Sequence, residues 1–509
     1  MKEGRRSVKH ARSQATPCLA VLGTGSDVGK SIITAALCRA FANRGVRVVP
    51  FKAQNMSNNS GITLEGLEMG RAQIVQAMAA RVPPHVDMNP ILLKPTSDVG
   101  SQIVLLGKAI ANSTAAEYHH RKDDLFAGAA AALDRLRASS DLVVIEGAGS
   151  CAEVNLMAHD IVNFRIAEYA DAPVILVADI HRGGVFAQIV GTLACLPTDH
   201  QQRIIGFIVN RFRGDRSLFS DGVQWIEQKT GKRVFGVHPW YTDLTIESED
   251  SVVIENPKMV NSGRIQGPAI AVVRVPHISN FTDFDPLEGI EGLQVCFLEK
   301  RQSLKAFKAV ILPGSKNTRF DLEWLHTTGW SEEIGQYAAG NGHVLGICGG
   351  FQMLGEWVHD PSGLEGSPGS TPGLSLLPVE TILQAPKTTT LTQFAWNGSH
   401  GCGYEIHMGH TKRKGGRPVF SVSEQNGRAC NLEDGCEVGQ FRIMGTYIHG
   451  LFDTPVITER WLKTIGLADI AISGVYGPAA RDRDLDRLAE HFVAHVDMAA
   501  IAATIGLDF

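Results

Sequence analysis

The chain has 509 residues, of which 44% are hydrophobic and 20% charged. At ~150 residues per domain this length suggests about three domains, with apolar material for at least two cores, and it excludes a disordered chain. Its 48 basic and 53 acidic side chains give a net charge of −5, which offers no electrostatic reason to expect nucleic acid or an anionic membrane as a partner.

The N-terminus carries Lys2, Arg5, Arg6, Lys9 and Arg12 with no apolar segment behind them. It reads as a flexible basic tail over residues 1–16, not as a secretory signal. Residues 18–22 are a short apolar run before a glycine-rich turn, and 31–43 have helical spacing. Apolar runs follow at 46–51, 142–145, 174–178 and 204–209, with helical patterns at 115–137 and 185–196. Short buried strands alternating with helices predict a doubly wound α/β domain over 17–250. Around 247–268 a group of acids, Pro257, Gly263 and Pro268 break the pattern, which predicts a linker at 251–267. A second doubly wound α/β domain is predicted over 268–458, from runs at 270–275, 295–298, 309–312 and 343–347. Residues 375–381 and 446–449 read as further strands, and 361–373 as a surface loop. The segment 459–509 reads as helical, with Leu485, Leu488, Phe492 and Val493 on one face. No run of ~18 apolar residues exists, so no membrane span is predicted. Nine cysteines, an odd number with no Cys-x-x-Cys pair, predict reduced thiols and a cytoplasmic location. Nothing in the sequence fixes an oligomeric state.

Residues 23–31 read Gly23-Thr24-Gly25-Ser26-Asp27-Val28-Gly29-Lys30-Ser31. They follow a predicted strand and open a predicted helix, the setting of a phosphate-binding loop. The loop residues Thr24, Gly25, Val28 and Gly29 bring backbone N–H groups to phosphate oxygens, and the helix N-terminus adds partial positive charge. Lys30 reaches the terminal phosphates and Ser31 is a ligand for Mg²⁺, so ATP and Mg²⁺ are the predicted cofactors. The first glycine of the common spacing is displaced to Gly23, leaving Thr24 in its place. Lys52 and Glu146 end two apolar strands. Lone residues there are usually just solvated, but ligands sit at the C-terminal strand ends of doubly wound sheets. Lys52 is therefore assigned to ATP and Glu146 to the metal.

Gly346-Ile347-Cys348-Gly349-Gly350 follows an apolar run and precedes a helical pattern. This is a nucleophile elbow, where a sharp turn exposes the sulfur and the helix N-terminus favours thiolate. The N–H of Gly349 is a candidate oxyanion donor, and the turn at Gly314 supplies a second. A thiolate needs a base, and His449, at the end of a predicted strand and before Gly450, is the candidate. The alternative at each site is a chance glycine turn or a buried structural cysteine.

The phosphate loop resembles that of dethiobiotin synthetase and its relatives, which activate a carboxyl group as a phosphoric anhydride. Gly25 stands where partition-type ATPases carry a signature lysine. Cys348 and His449 resemble the pair of class I glutamine amidotransferases, which release ammonia from L-glutamine. Those enzymes usually place a glutamate two residues after the histidine, but here that position is Leu451, a departure shared with the cobyrinate-type glutaminases. Four strings, at 51–59, 210–215, 276–284 and 312–318, are similar to the cobyric acid synthase family. That resemblance implies ATP- and glutamine-dependent amidation of the b, d, e and g carboxylates of a corrinoid, adenosylcobyrinic acid a,c-diamide, to adenosylcobyric acid. The nearest rival is cobyrinic acid a,c-diamide synthase, from which the strings at 51–59 and 276–284 differ. A partition-type ATPase without ligase chemistry would leave Cys348 unexplained. Within the family's usual Asp-Ile-Asp-Arg-Gly-Gly pattern this chain has His181 in place of an acid, and Arg182 after it is either a substrate contact or an ordinary ion-pair partner.

Overall fold

The computed structural model describes residues 16–97, 100–114, 118, 121–241, 265, 267–472 and 476–509. The predicted tail, except residue 16, and the predicted linker, except residues 265 and 267, lie outside the described residues.

The first half is built on six parallel strands in the order Arg233–Pro239, Ile204–Phe212, Val174–Asp179, Cys18–Gly23, Leu142–Glu146, Val48–Phe51. The three central strands are buried along their whole length because helices cover both faces. This is the doubly wound arrangement that the apolar runs predict, and it brings the residues after Gly23, Glu146 and Asp179 to one edge. The helix after the phosphate loop runs Lys30–Ala42. A side sheet joins Gln54–Met56, Ile91–Ser97, Gly100–Leu105 and Lys108–Thr114. The helix expected from residue 115 is described from Lys122 to Ser139, with 115–117, 119 and 120 outside the described residues.

The second half has its own six-stranded sheet in the order Gln294–Leu298, Ala269–Val273, Ala309–Leu312, His343–Ile347, Ile443–Thr446, Cys436–Val438, parallel except for the last pair. Beside it lies a five-stranded antiparallel sheet, Arg428–Asp434, Phe420–Gln425, Thr388–Trp396, Ser399–His407 and Ile448–His449. The chain passes from one sheet to the other between Thr446 and Ile448, which puts His449 at their seam, opposite Tyr404. The antiparallel sheet has no counterpart among the continuous apolar runs, because its strands alternate between core and solvent. Gly369–Pro372, expected within a loop, forms a strand against Trp357–Asp360, and the strand expected from 375 begins at Val379.

The C-terminal helices divide between the halves. Pro455–Thr464 buries Ile457, Trp461 and Leu462 in the second core. Gly477–Val493 and Met498–Thr504 instead return to the first half, where Leu485, Leu488, Phe492 and Ile501 pack against Ile33, Leu37 and Phe41 of the Lys30–Ala42 helix. On the same face the fully buried Arg39 donates to Asp482 (2.6 Å) and Asp486 (3.4 Å). Val493, expected on the apolar face, is partly exposed. Truncating Leu488→Ala should therefore lower stability by ~2–5 kcal/mol, read as a lower urea midpoint. An unchanged midpoint would contradict this docking.

Candidate functional site

The phosphate loop closes on itself through small residues. Gly29 caps the Lys30–Ala42 helix at φ 95°, and a Cβ there would lie 2.2 Å from the Asn210 amide. Asn210 in turn donates to the Val28 carbonyl (2.9 Å). The Thr24 N–H donates to Val177 and its hydroxyl to Gln188, which ties the loop to the neighbouring strand and helix. Val28 is buried beneath the turn, against Gly23 and Gly25. Lys30 folds into the loop, where Nζ donates to the carbonyls of Gly25 (3.1 Å) and Gly149 (2.8 Å).

Glu146 gathers the other predicted groups. Its Oε1 accepts from Ser31 Oγ (2.8 Å) and Lys52 Nζ (3.2 Å), and its Oε2 accepts from Gln76 Nε2. Glu146, Lys52 and Gln76 are buried. The Ser31 hydroxyl and the Glu146 carboxylate are adjacent hard oxygens, the donor type that Mg²⁺ prefers. Gln76 has no sequence signal, since an amide inside a helix looks like any other. A cavity of about 410 Å³ opens beside this cluster, lined by Ser26, Lys52, Asn55, Met56, Lys122 and Leu156. His181 stands apart as an exposed ring packed edge-on against Trp240 (4.3 Å), while its backbone N–H donates to Asp179 Oδ1 (2.7 Å). Arg182 is exposed as well.

In the second half Cys348 lies between the strand His343–Ile347 and the helix Gly349–Leu354, with φ 54° and ψ −108°. The turn requires small neighbours: a Cβ on Gly350 would lie 2.0 Å from the Leu312 carbonyl. Gly349 packs against Ser315, and a Cβ at Gly314 would sit 3.2 Å from the His449 ring. Gly349 therefore adjoins the thiol and Gly314 the imidazole.

His449 is fully buried and stacks on Tyr404 (5.2 Å). Its Nδ1 pairs with Asp283 Oδ2 at 2.6 Å, and the Gly450 N–H donates to Asp283 Oδ1 at 2.9 Å. Asp283 thus occupies the orienting role that Leu451 cannot fill. It lies inside the 276–284 string, which was legible as a family feature but not as a partner for a histidine so distant in sequence. Burial opposes a charge on His449, but the Asp283 carboxylate and the Cys348 sulfur outweigh it and push its pKa up to about 10.

The halves meet over the hairpin Ser60–Ile62/Glu68–Gly70 of the first half. Ile62 packs with Tyr404 and Ile406. Glu68 accepts from Lys94 (2.6 Å) of its own half and from Lys387 (2.7 Å) of the other. Lys316, also of the second half, donates to Gln102 of the first.

Residues 19–252 match the family model of the CobQ/CobB/MinD/ParA nucleotide binding domain, and residues 269–456 match that of the CobB/CobQ-like glutamine amidotransferase domain. A protein of Chlorobaculum tepidum named cobyric acid synthase is 49% identical over 96% of this chain and 98% of its own length. Proteins of the same name from Chlorobium phaeobacteroides strain BS1 and Pelodictyon phaeoclathratiforme are 48% and 47% identical, each over 96% of this chain and 99% and 97% of their own lengths. The chain belongs to the cobyric acid synthase family. It is an ATP-dependent amidotransferase ligase, with a nucleotide-binding half and a glutamine amidotransferase half. Among the described residues no helix is long and apolar enough to cross a membrane.

The imidazolium of His449, with its raised pKa, is present below about pH 10 and is lost above it. Asp283→Asn removes a charge that raises this value while burial still lowers it. Glutamine hydrolysis should fall ~100-fold or more, and the upper limb of its pH profile should move to lower pH. An unshifted limb would remove Asp283 from the site.

Proposed function

We propose that this chain converts adenosylcobyrinic acid a,c-diamide to adenosylcobyric acid by amidating its b, d, e and g carboxylates, using glutamine and ATP. The observation that carries this reading is that one continuous stretch, residues 52–60, begins at the Lys52–Glu146 pair and ends on Asn280 beside His449. An activating site and an ammonia-releasing site are thereby built into one body. The names of the relatives supply the corrinoid.

In the glutaminase half, Cys348 Sγ, its proton already held on His449 Nε2, attacks the amide carbon of glutamine. The N–H groups of Gly349 and Gly314 are assigned to the oxyanion. His449 returns the proton to the departing nitrogen, ammonia leaves, and water hydrolyses the thioester to glutamate. In the other half, Lys30 and the loop N–H groups of Gly25, Val28 and Gly29 hold the ATP phosphates, while Thr24, whose N–H is engaged by Val177 and not turned to phosphate as its sequence position suggests, fixes the start of the loop. Ser31 and Glu146 would hold Mg²⁺, which would neutralise phosphate charge. Lys52 orients the corrinoid carboxylate toward the terminal phosphate. Attack by that carboxylate gives an acyl phosphate and ADP, and ammonia then displaces phosphate to form the amide. The catalytic units are residues 17–250, joined by the returning C-terminal helices, and 268–458. A cytoplasmic location accords with nine unpaired cysteines.

The test is incubation of the protein with adenosylcobyrinic acid a,c-diamide, glutamine, ATP and Mg²⁺ while the corrinoid mass is followed. Stepwise replacement of OH by NH₂ that ends after four additions is expected. Glutamine hydrolysis without corrinoid change would overturn the substrate assignment. Cys348→Ala should abolish glutamine-dependent amidation and spare amidation from ammonia, whereas Lys30→Ala should remove both. Loss of both activities in Cys348→Ala would overturn its role, and ammonia-dependent turnover in Lys30→Ala would overturn the phosphate assignment.

A further inference from the structure

His238, near the end of the strand Arg233–Pro239, has a buried side chain with no part in the chemistry described above. It stands between the phosphate site and the C-terminal segment. Its Nδ1 lies 3.0 Å from Asn210 Oδ1, and its Nε2 lies 3.1 Å from Nδ1 of His491, in the helix Gly477–Val493. The C-terminal segment packs tightly on this strand. Gly236 bridges Val496, and a Cβ on Gly236 would lie 2.4 Å from the His495 carbonyl. Phe492 covers the His238 ring, with centroids 5.5 Å apart.

The direction of each hydrogen bond is fixed from the far end. The Val28 carbonyl can only accept, so the Asn210 amide nitrogen faces it (2.9 Å) and the amide oxygen faces His238. That oxygen also only accepts, so His238 carries a proton on Nδ1. Burial, with His491, His495 and Arg216 nearby, holds the pKa of His238 down at about 3. The ring is therefore neutral, Nε2 bears a lone pair, and Nδ1 of His491 donates to it. The bonds run in one sense, from His491 to His238 to Asn210 to the phosphate loop.

The carbonyl at the end of this chain belongs to the peptide unit that joins Val28 to Gly29. In a trans peptide the C=O and N–H point in opposite directions. Holding the Val28 carbonyl on Asn210 therefore turns the Gly29 N–H to the other side of the loop, the side assigned to phosphate. An Asn210 amide turned over would set its oxygen against the Val28 carbonyl, two acceptors face to face. His238 opposes that turn, because its Nδ1–H would then face an amide N–H.

We propose that His238 is a positioning residue for ATP: it locks the Asn210 amide in the sense that presents the Gly29 N–H to phosphate, and His491 ties that lock to the C-terminal helix. The segment that returns from the second half is thereby part of the ATP site. This inference rests on the reading of residues 23–31 as the phosphate loop and not on the identity of the carboxylate substrate.

The experiment measures binding of ATP with Mg²⁺ to the full chain by calorimetry, with the urea midpoint as a control for folding. His238→Asn keeps an N–H donor where Nδ1 stands and should bind ATP within about threefold of the unsubstituted protein. His238→Leu fills similar space without the donor and should weaken ATP binding about tenfold, the worth of one hydrogen bond. His238→Gln carries its amide where Nε2 stands, away from Asn210, and should match His238→Leu. If His238→Leu lowers the urea midpoint, the two amide variants decide the matter between them. In ammonia-dependent amidation the loss should appear in the KM for ATP and not in kcat, and glutamine hydrolysis without ATP should be unchanged. Unweakened ATP binding in His238→Gln would overturn the proposal. So would equal weakening in His238→Asn and His238→Gln, which would reduce His238 to a filler of space. Failure of the unsubstituted protein to bind ATP at all would instead overturn the underlying reading of residues 23–31.

Discussion

A buried carboxylate cannot stand without partners, and Glu68 finds its partners in both halves of the molecule. Burial alone would raise its pKa, but Lys387 and Lys94 outweigh burial and hold it far below the usual carboxylate range. The lysines pay in the opposite sense: burial pushes Lys94 down to about 8 and Lys316, beside the same cluster, down to about 7. Such an arrangement adds little net stability, because desolvation consumes most of the attraction. Its effect is on geometry. If the halves shifted relative to each other, Glu68 or Lys387 would be left charged and unpaired in the interior. That penalty fixes Ser60 against Asn280 and Ile62 against Tyr404, and so sets the surroundings of His449.

The two sites solve different electrostatic problems. Around Glu146 a single acid collects a lysine, a hydroxyl and an amide, which leaves oxygen donors for a cation and a nearby ammonium for anionic phosphate. Around His449 an acid is spent on one imidazole, and the opposite ring nitrogen is left to a sulfur and an amide. In the proposed reaction the first site handles anions with fixed positive charge and the second moves one proton. Both stand at the C-terminal ends of parallel strands, where the sheet delivers glycine-rich turns to a helix N-terminus.

The parts of this organisation that local chemistry dictates were legible in the sequence. The phosphate loop and the cysteine elbow each need glycines at fixed offsets between a strand and a helix, and those offsets are visible in a single chain. Asp283 and Asn280 were not legible as partners, since the contact that gives each its meaning is with a histidine far along the chain. The antiparallel sheet was legible in principle. Asn397-Gly398 and Asn426-Gly427 join its strands with positive φ at both residues, the usual chemistry of a tight hairpin. Apolar runs alone miss it, because a half-exposed strand alternates. Periodicity likewise shows that Leu485, Leu488 and Phe492 share a face but not what that face meets, which is the helix of the phosphate loop.

In the proposed reaction nitrogen passes from Cys348 to the activated carboxylate within one body. The direct measurement supplies glutamine carrying heavy nitrogen at the amide, together with an excess of unlabelled ammonium, and reads the isotope in the amidated corrinoid. Internal transfer predicts heavy nitrogen in the product nearly undiluted by the excess. Product labelled only in proportion to the mixed ammonia pool would contradict it.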